Sequence, residues 1–395
     1  MKKGRSLKIT SVSQFVKKIA QLKKKEGAEL FYRGHADEGW KLLPSIFRVE
    51  KGLEKEHLLF RDMVAHTPQS FAECKSALDY LVQMQHYELP TRLLDVTMNP
   101  LVALFFACAE VDTPEELLAS AITGAIGGAT FQSSPTMATP ENTTLGMAGA
   151  VAGAIAAIAP ADIAEDFSIA VTEGLVKGLY EKGKAYEGGE ELVSEAKKAA
   201  AFGVKAGVAA RGNNGAVYLF SIPEDRVKHY DSDTVSVLTN LAKCSDQEID
   251  VYTEQAEDVR KGNGLEGFNE QAGIRILLRQ IKEEKPYFQP LIRHNDLSSI
   301  FLVKAKYGNP RIINQAGAFF IFGLGFNPSY RGSGGRLTKR GDHEIPSDWI
   351  RYKFIIPKDK KQDILDELAR MGITESYLFP EMDKYAKELR KKYEL

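Results

Sequence analysis

Hydrophobic and polar positions recur with two periods along this chain, and together they predict a sheet flanked by helices. Glu29–Gly34, Glu-Leu-Phe-Tyr-Arg-Gly, alternates with a period of two and is rich in rings. It predicts a strand whose last residue permits close approach of another backbone. Ala216–Ile222 is a continuous apolar run and predicts a strand buried on both faces. Arg311–Gly323, with Gly317 inside it, and Trp349–Ile356 predict two further strands. Ile300–Lys304 fits a short strand or the tail of a helix. Apolar positions three and four apart predict helices over Leu53–His66, Ser70–Gln85, Ser236–Ala242, Ala256–Arg260, Ala272–Lys282 and Asp359–Met371, the last stopped by Gly372. Residues 8–25 read as a short strand and then a Lys-rich helix capped by Ser11 or Ser13, and Glu381–Lys392 as a closing basic helix.

One stretch organises the rest. From Gln83 to Met98 the chain is rich in His, Tyr, Thr, Arg and Asp and predicts a loop, with Pro90 biasing Leu89 towards an extended shape. Asn99 then reads as a helix N-cap and Pro100 as the first helical residue, where a missing N–H costs nothing. The helix that follows, Leu101–Ala109, is almost wholly apolar and should be buried, so it is a rigid mount for the polar groups before it.

Residues 111–213 differ in kind. Between Leu117 and Ala161 the only ionisable side chain is Glu141, and 10 of the 16 residues from Leu145 to Pro160 are Ala or Gly. Two apolar stretches, 117–131 and 145–159, predict a helical hairpin, with Gly124/Gly128 and Gly149/Gly153 at the spacing that lets helices approach closely. Each helix would be about 22 Å long, short of the roughly 30 Å hydrocarbon core of a bilayer. A packed hairpin, or a surface that binds a partner or another copy of the chain, is therefore preferred to membrane association. Amphipathic helices then run on to the turn at Arg211–Gly215. The fold class expected is α+β: a mixed or antiparallel sheet core with flanking helices, interrupted by an all-helical insert. The boundaries are 1–110, 111–213 and 214–395.

The composition is that of an ordinary globular protein, 44% hydrophobic and 27% charged, with a net charge of −1 that does not point to nucleic acid. The balance conceals an asymmetry, because residues 111–213 are net −6 and the remainder net +5. Three widely spaced cysteines, Cys74, Cys108 and Cys244, predict neither a disulfide frame nor a zinc site. The N-terminus has no apolar run behind its lysines, so no secretory signal is read there and a cytoplasmic location is expected.

No P-loop, His-Glu-x-x-His run, Gly-x-Ser-x-Gly elbow or dinucleotide fingerprint is present. What remains is a set of polar residues at strand ends and in the central loop: Arg33 and His35, then Thr91, Arg92, Asp95 and Thr97, then Asn314 and Gln315. They converge on one cleft if their strands are neighbours. The glycine-rich basic loop Asn327–Gly341 is a second candidate for phosphate contacts.

Here the chain resembles a family. Phe31-Tyr32-Arg33-Gly34, Gln85-His86-Tyr87, Asp95, Asn99-Pro100 with Ala103, Gly215-Ala-Val-Tyr218, Gln315-Ala-Gly-Ala-Phe319 and the tail Leu378-Phe-Pro-Glu-Met-Asp383 look like the FRG-domain family over roughly residues 8–110 and 214–390. Val96 and Glu88 depart from its usual Trp and Gly. A second resemblance is to NAD-dependent ADP-ribosyltransferases. Their first element is a strand ending in Arg or His that holds the cofactor. Their second is a strand end running into an Asp-Pro-x-x-Ala helix, and their third is a strand carrying Glu. Arg33 matches the first, Asp95-Val-Thr97 with Asn99-Pro100-Leu-Val-Ala103 the second, and Gln315 stands at the third.

The resemblance implies NAD as substrate and no metal. Arg33, Gly34, His35, Thr91, Arg92 and Thr97 would hold the cofactor, and Asp95 and Gln315 would be the catalytic pair. It further implies a bacterial toxin or antiviral effector with a nucleic-acid or protein acceptor, and an antitoxin as a candidate partner. The alternative is a non-catalytic sensor that binds a nucleotide or nucleic acid, with the insert driving oligomerisation or membrane interaction.

Overall fold

The computed structural model describes residues 5–23, 25–109, 213–252, 264–327, 336–339 and 343–382, with 341, 385, 386, 389 and 393 besides. The insert, the helix expected at Ala256–Arg260 and most of that expected at Glu381–Lys392 lie outside the described residues.

Within them the strands are β1 (Arg5–Lys8), β2 (Ala28–His35), β3 (Leu93–Thr97), β4 (Gly215–Pro223), β5 (Val227–His229), β6 (Asp250–Tyr252), β7 (Ile300–Lys304), β8 (Gly317–Phe322), β9 (Gly325–Asn327), β10 (Arg336–Thr338) and β11 (Ile350–Ile356). Eight form one mixed sheet in the order β1-β11-β4-β2-β3-β8-β7-β5, and β6-β10-β9 form a small second one. The β1–β11 and β5–β7 pairs are parallel and the rest antiparallel. The helices are α1 (Val12–Ala20), α2 (Gly52–His66), α3 (Ala77–His86), α4 (Pro100–Cys108), α5 (Asp233–Asn240), α6 (Gly264–Glu270), α7 (Ala272–Glu284), α8 (His294–Leu297), α9 (Pro310–Asn314), α10 (Lys361–Arg370) and α11 (Glu375–Leu378). This is the α+β class expected, and no described helix is long and apolar enough to cross a membrane.

Three expectations are corrected. The loop expected from Gln83 to Met98 is largely ordered structure: α3 runs to His86, and Leu93–Thr97 is a central strand of the sheet. The segment Leu-Leu-Asp-Val-Thr is buried at every position but Asp95, so it lacks the alternation that marks a strand. The strand expected from Arg311 begins only at Gly317. Asn309 caps a short helix through its side chain, with Pro310 at the first turn, and Ala316 turns the chain at φ 45°. That is the same Asn-Pro signal that starts α4, where the Asn99 side chain accepts from Leu101 N at 2.9 Å. Ser70–Gln85 is also divided: a 3-10 turn, Pro68–Phe71, precedes α3, and a Ser76–Asp79 capping box starts the helix.

One face of the large sheet carries a continuous core: Phe31, Leu94, Val96, Phe220, Leu302, Phe320 and their neighbours. The other face carries two. Leu93, Phe301, Phe319 and Ile321 pack with α2, α3, α5 and α7, while Tyr32, Val217, Leu219 and Phe354 pack with α1, α4 and α10. The division follows the strands. β2 pairs with β4 along its whole length, but β2 and β3 meet only at Tyr32–Thr97. Two half-sheets therefore join through a single registered pair and splay apart beside it. α4 is pressed onto one side of the opening, since a Cβ on Gly34 would lie 2.0 Å from the Ala103 carbonyl oxygen and one on Gly215 1.9 Å from that of Ala107. Both positions require glycine so that the helix can lie directly on β2 and β4.

Candidate functional site

The cleft that opens at the splay has a volume of about 440 Å³. Tyr32, Trp40, Phe106, Ile312 and Phe319 give it apolar walls, and Arg33, Gln85, His86, Asp95, Arg311 and Gln315 supply its polar groups. Among its described lining residues Arg33 and Arg311 are basic and Asp95 is acidic.

Arg33 sits where β2 leaves β3. Its Nη1 donates to the Asp95 backbone carbonyl, a group that continued strand pairing would have bonded. Its Nε donates to His35 Nε2 at 2.8 Å, and Nη2 has no partner among the described residues. Burial lowers the Arg33 pKa to about 10; Asp95 opposes that shift and Arg48 adds to it, so the group stays a cation at neutral pH. His35 is 1% exposed and lies between Trp40 and Tyr218. Burial first, then Arg33 and Arg48, pushes its pKa down to about 3, which keeps the ring neutral and able to accept from Arg33. It therefore stands behind Arg33 and does not line the cleft. Gly34 lines it, with its Cα against α4.

Asp95 projects from the middle of β3 and is exposed. Gln85 Nε2, from the last turn of α3, donates to its Oδ1 at 2.6 Å, and Oδ2 has no partner among the described residues. Thr97 lines the cleft, but its hydroxyl donates to the Gln315 backbone carbonyl at 2.6 Å and accepts from Asn99 N at 2.9 Å. It locks the end of β3 to the turn before β8. Gln315 closes α9, and its Nε2 donates to the Leu378 carbonyl at 3.1 Å. That fixes the amide and leaves Oε1 as an acceptor. Asn314, from the candidate set, donates to the Tyr377 carbonyl instead and does not line the cleft.

Thr91 and Arg92 are placed elsewhere. Thr91 is 1% exposed and donates to Gln85 Oε1. Arg92, also 1% exposed, points into the core under α2, where its Nε donates to Glu56 Oε1 at 2.8 Å and its Nη1 to the Phe322 carbonyl at 3.0 Å. Lys339 Nζ meets the same carboxylate at 2.7 Å. Adjacent positions on an extended chain face opposite sides, so Arg92 and Thr91 could not both have served one cleft.

Sequence reasoning did not single out Gln85, His86 or Arg311 as site residues. Gln85 and His86 stand in the motif that carried the family resemblance, while Arg311 was placed inside a strand. Arg311 lies over the Phe379 ring, 4.4 Å from its centroid, and His86 Nε2 is 3.7 Å from Glu381. Burial and then Arg311 lower the His86 pKa against the pull of Glu381, so the ring is neutral at neutral pH and this contact is not an ion pair. Burial pushes the Cys74 thiol up to about 11 and those of Cys108 and Cys244 to about 12, which removes them as nucleophiles. Among the described residues no cluster of three His, Cys, Asp or Glu side chains could hold a metal ion.

The FRG domain family model matches residues 28–116. The matched span begins at the first residue of β2 and takes in Arg33, Gln85, Asp95, Thr97 and α4. Arg311 and Gln315 lie beyond the matched span. No curated protein and no solved structure matches the chain.

Proposed function

We propose that the cleft binds NAD and that the chain is an ADP-ribosyltransferase, acting as a bacterial toxin or antiviral effector on a nucleic-acid or protein acceptor. The observation that carries this reading is the set of fixed groups around the splay that lack partners among the described residues: a cation with a free Nη2 on Arg33, and two acceptors, Asp95 Oδ2 and Gln315 Oε1. A guanidinium suits a pyrophosphate, and paired acceptors suit the hydroxyls of a ribose. The rings of Tyr32, Trp40 and Phe106 offer a flat base its apolar contacts.

In the reaction the bond between ribose C1′ and nicotinamide breaks, its electron pair leaves with nicotinamide, and an acceptor nucleophile takes its place. Positive charge develops on the ribose, and the Asp95 carboxylate is the group placed to stabilise it. Arg33 anchors the phosphates, and Gln315 orients the sugar. Full-length protein incubated with labelled NAD and a mixture of RNA, DNA and protein should release nicotinamide and label one acceptor class. Asp95→Asn keeps shape and hydrogen-bonding capacity but removes the charge, so release should fall about 100-fold or more. A silent wild type with all acceptors supplied would overturn the proposal.

A second reading, a nucleotide-binding sensor without turnover, is favoured by one detail. The third position of the transferase pattern is the neutral Gln315, with its Nε2 already spent on Leu378. A sensor binds NAD or ADP-ribose and releases no nicotinamide in wild type, Asp95→Asn or Gln315→Glu, whereas Gln315→Glu in a transferase should raise turnover.

A further inference from the structure

We infer that Gln85 is the positioning residue of this cleft: with Thr91 behind it, Gln85 holds the Asp95 carboxylate in one orientation and turns Oδ2 towards the ligand. The inference deepens the NAD reading and rests on it for the ligand's identity.

The argument follows the protons. Leu93 N donates to Thr91 Oγ1 at 3.2 Å, so the single hydroxyl proton of Thr91 is free to point away, and it goes to Gln85 Oε1. An amide oxygen used as acceptor leaves its nitrogen as donor, and Gln85 Nε2 meets Asp95 Oδ1 at 2.6 Å. The chain has one direction, set at its root by a backbone N–H of β3. Thr91 is itself held, its N–H donating to Ser45 Oγ at 3.1 Å.

Such a chain is not needed to satisfy Asp95. The carboxylate is exposed, so water would solvate it at no cost, whereas holding two side chains in single rotamers costs conformational entropy. What the bonds add is orientation: Oδ1 is occupied, and Oδ2 is the only carboxylate oxygen left without a partner among the described residues. A side chain held from behind in this way is how a binding or reacting group is kept within a fraction of an ångström of its working position.

The test has two arms on the full-length protein. In the first, the side-chain amide resonances of Gln85 are followed with 15N-labelled glutamine and no nucleotide present. They should be shifted from free-amide positions in wild type and collapse towards them in Asp95→Ala and in Thr91→Val. In the second, nicotinamide release is measured against NAD concentration and pH. Gln85→Leu should lower kcat about ten- to a hundred-fold with KM changed less than about two-fold, as expected when a reacting group loses its alignment. Gln85→Glu places two carboxylates where only a shared proton can hold them together, so its activity should be low at neutral pH and recover as pH falls, unlike wild type. Unmoved amide resonances in Asp95→Ala, an undiminished kcat in Gln85→Leu, or a wild-type pH profile in Gln85→Glu would each overturn the positioning role. A wild type that releases no nicotinamide while its Gln85 amide responds to Asp95→Ala supports the positioning and sinks the transferase reading instead.

Discussion

Removing the Glu56 carboxylate as Glu56→Gln tests why Arg92 lies in the core and not in the cleft. Glu56, Arg92 and Lys339 are 3%, 1% and 1% exposed, two cations around one anion. Burial by itself pushes the Glu56 carboxyl up, but the charges and hydrogen bonds of Arg92 and Lys339 overcome it and hold the group at about 2 against the usual 4.5. At about 1.4 kcal/mol per unit, that difference is roughly 3 kcal/mol of stability. It agrees with the ~3–5 kcal/mol typical of stripping one partner from a buried ion pair.

The folded pKa lies below the unfolded one, so this stability is fully present above about pH 4.5 and is lost as pH falls towards 2. Glu56→Gln should therefore unfold about 3 kcal/mol more easily than wild type in urea at pH 7, and the gap should close between pH 4.5 and 2. Lys339 keeps the Cys244 carbonyl, 2.8 Å away, as a partner in the variant, but burial already lowers its pKa and the loss of Glu56, which raises it, lowers it further. Adding Lys339→Met should accordingly restore part of the loss. A gap under 1 kcal/mol at pH 7, or one that does not change with pH, would refute the reasoning.

Gly34→Ala forces a methyl to within 2.0 Å of the Ala103 carbonyl and must lift α4 off β2; a loss of about 1–3 kcal/mol is expected, and a thermal midpoint equal to that of wild type would contradict the packing. Arg33→Ala strips hydrogen bonds from the Asp95 carbonyl and from His35, so it should cost about 1–3 kcal/mol besides binding. Arg33→Lys keeps the charge but not the fork, so calorimetric titration with ADP-ribose should show weakened affinity on a chain that still melts cooperatively. The Ala107 carbonyl lies against Gly215, so the described residues that flank the insert lie close together, and replacing 112–213 with a short linker should leave a core with its own cooperative melt by circular dichroism. Light scattering of that shortened chain should show a lower oligomeric mass than the full chain if the insert joins copies.

What the sequence determined by itself was local. Asn99 and Pro100 mark a helix start from local chemistry, because the cap bond and the missing N–H both act within one turn. The strands at Glu29–Gly34, Ala216–Ile222 and Trp349–Ile356 were legible for the same reason, since alternation or unbroken apolarity is a property of neighbours along the chain. β3 was not legible: Leu-Leu-Asp-Val-Thr becomes a strand by pairing with β8 on one side and, at one residue, with β2 on the other.

The site divides along the same line. That Arg33, Asp95 and Gln315 are candidates for a site could be read from their types and motif. That they share one cleft depends on β3 lying between β2 and β8, an order that links residues more than 200 positions apart. Register sent Arg92 into the core and Asp95 to the opening, and the packing of α3 brought Gln85 to the Asp95 carboxylate. A side chain's partners are chosen by which strands meet, and only the folded sheet decides that.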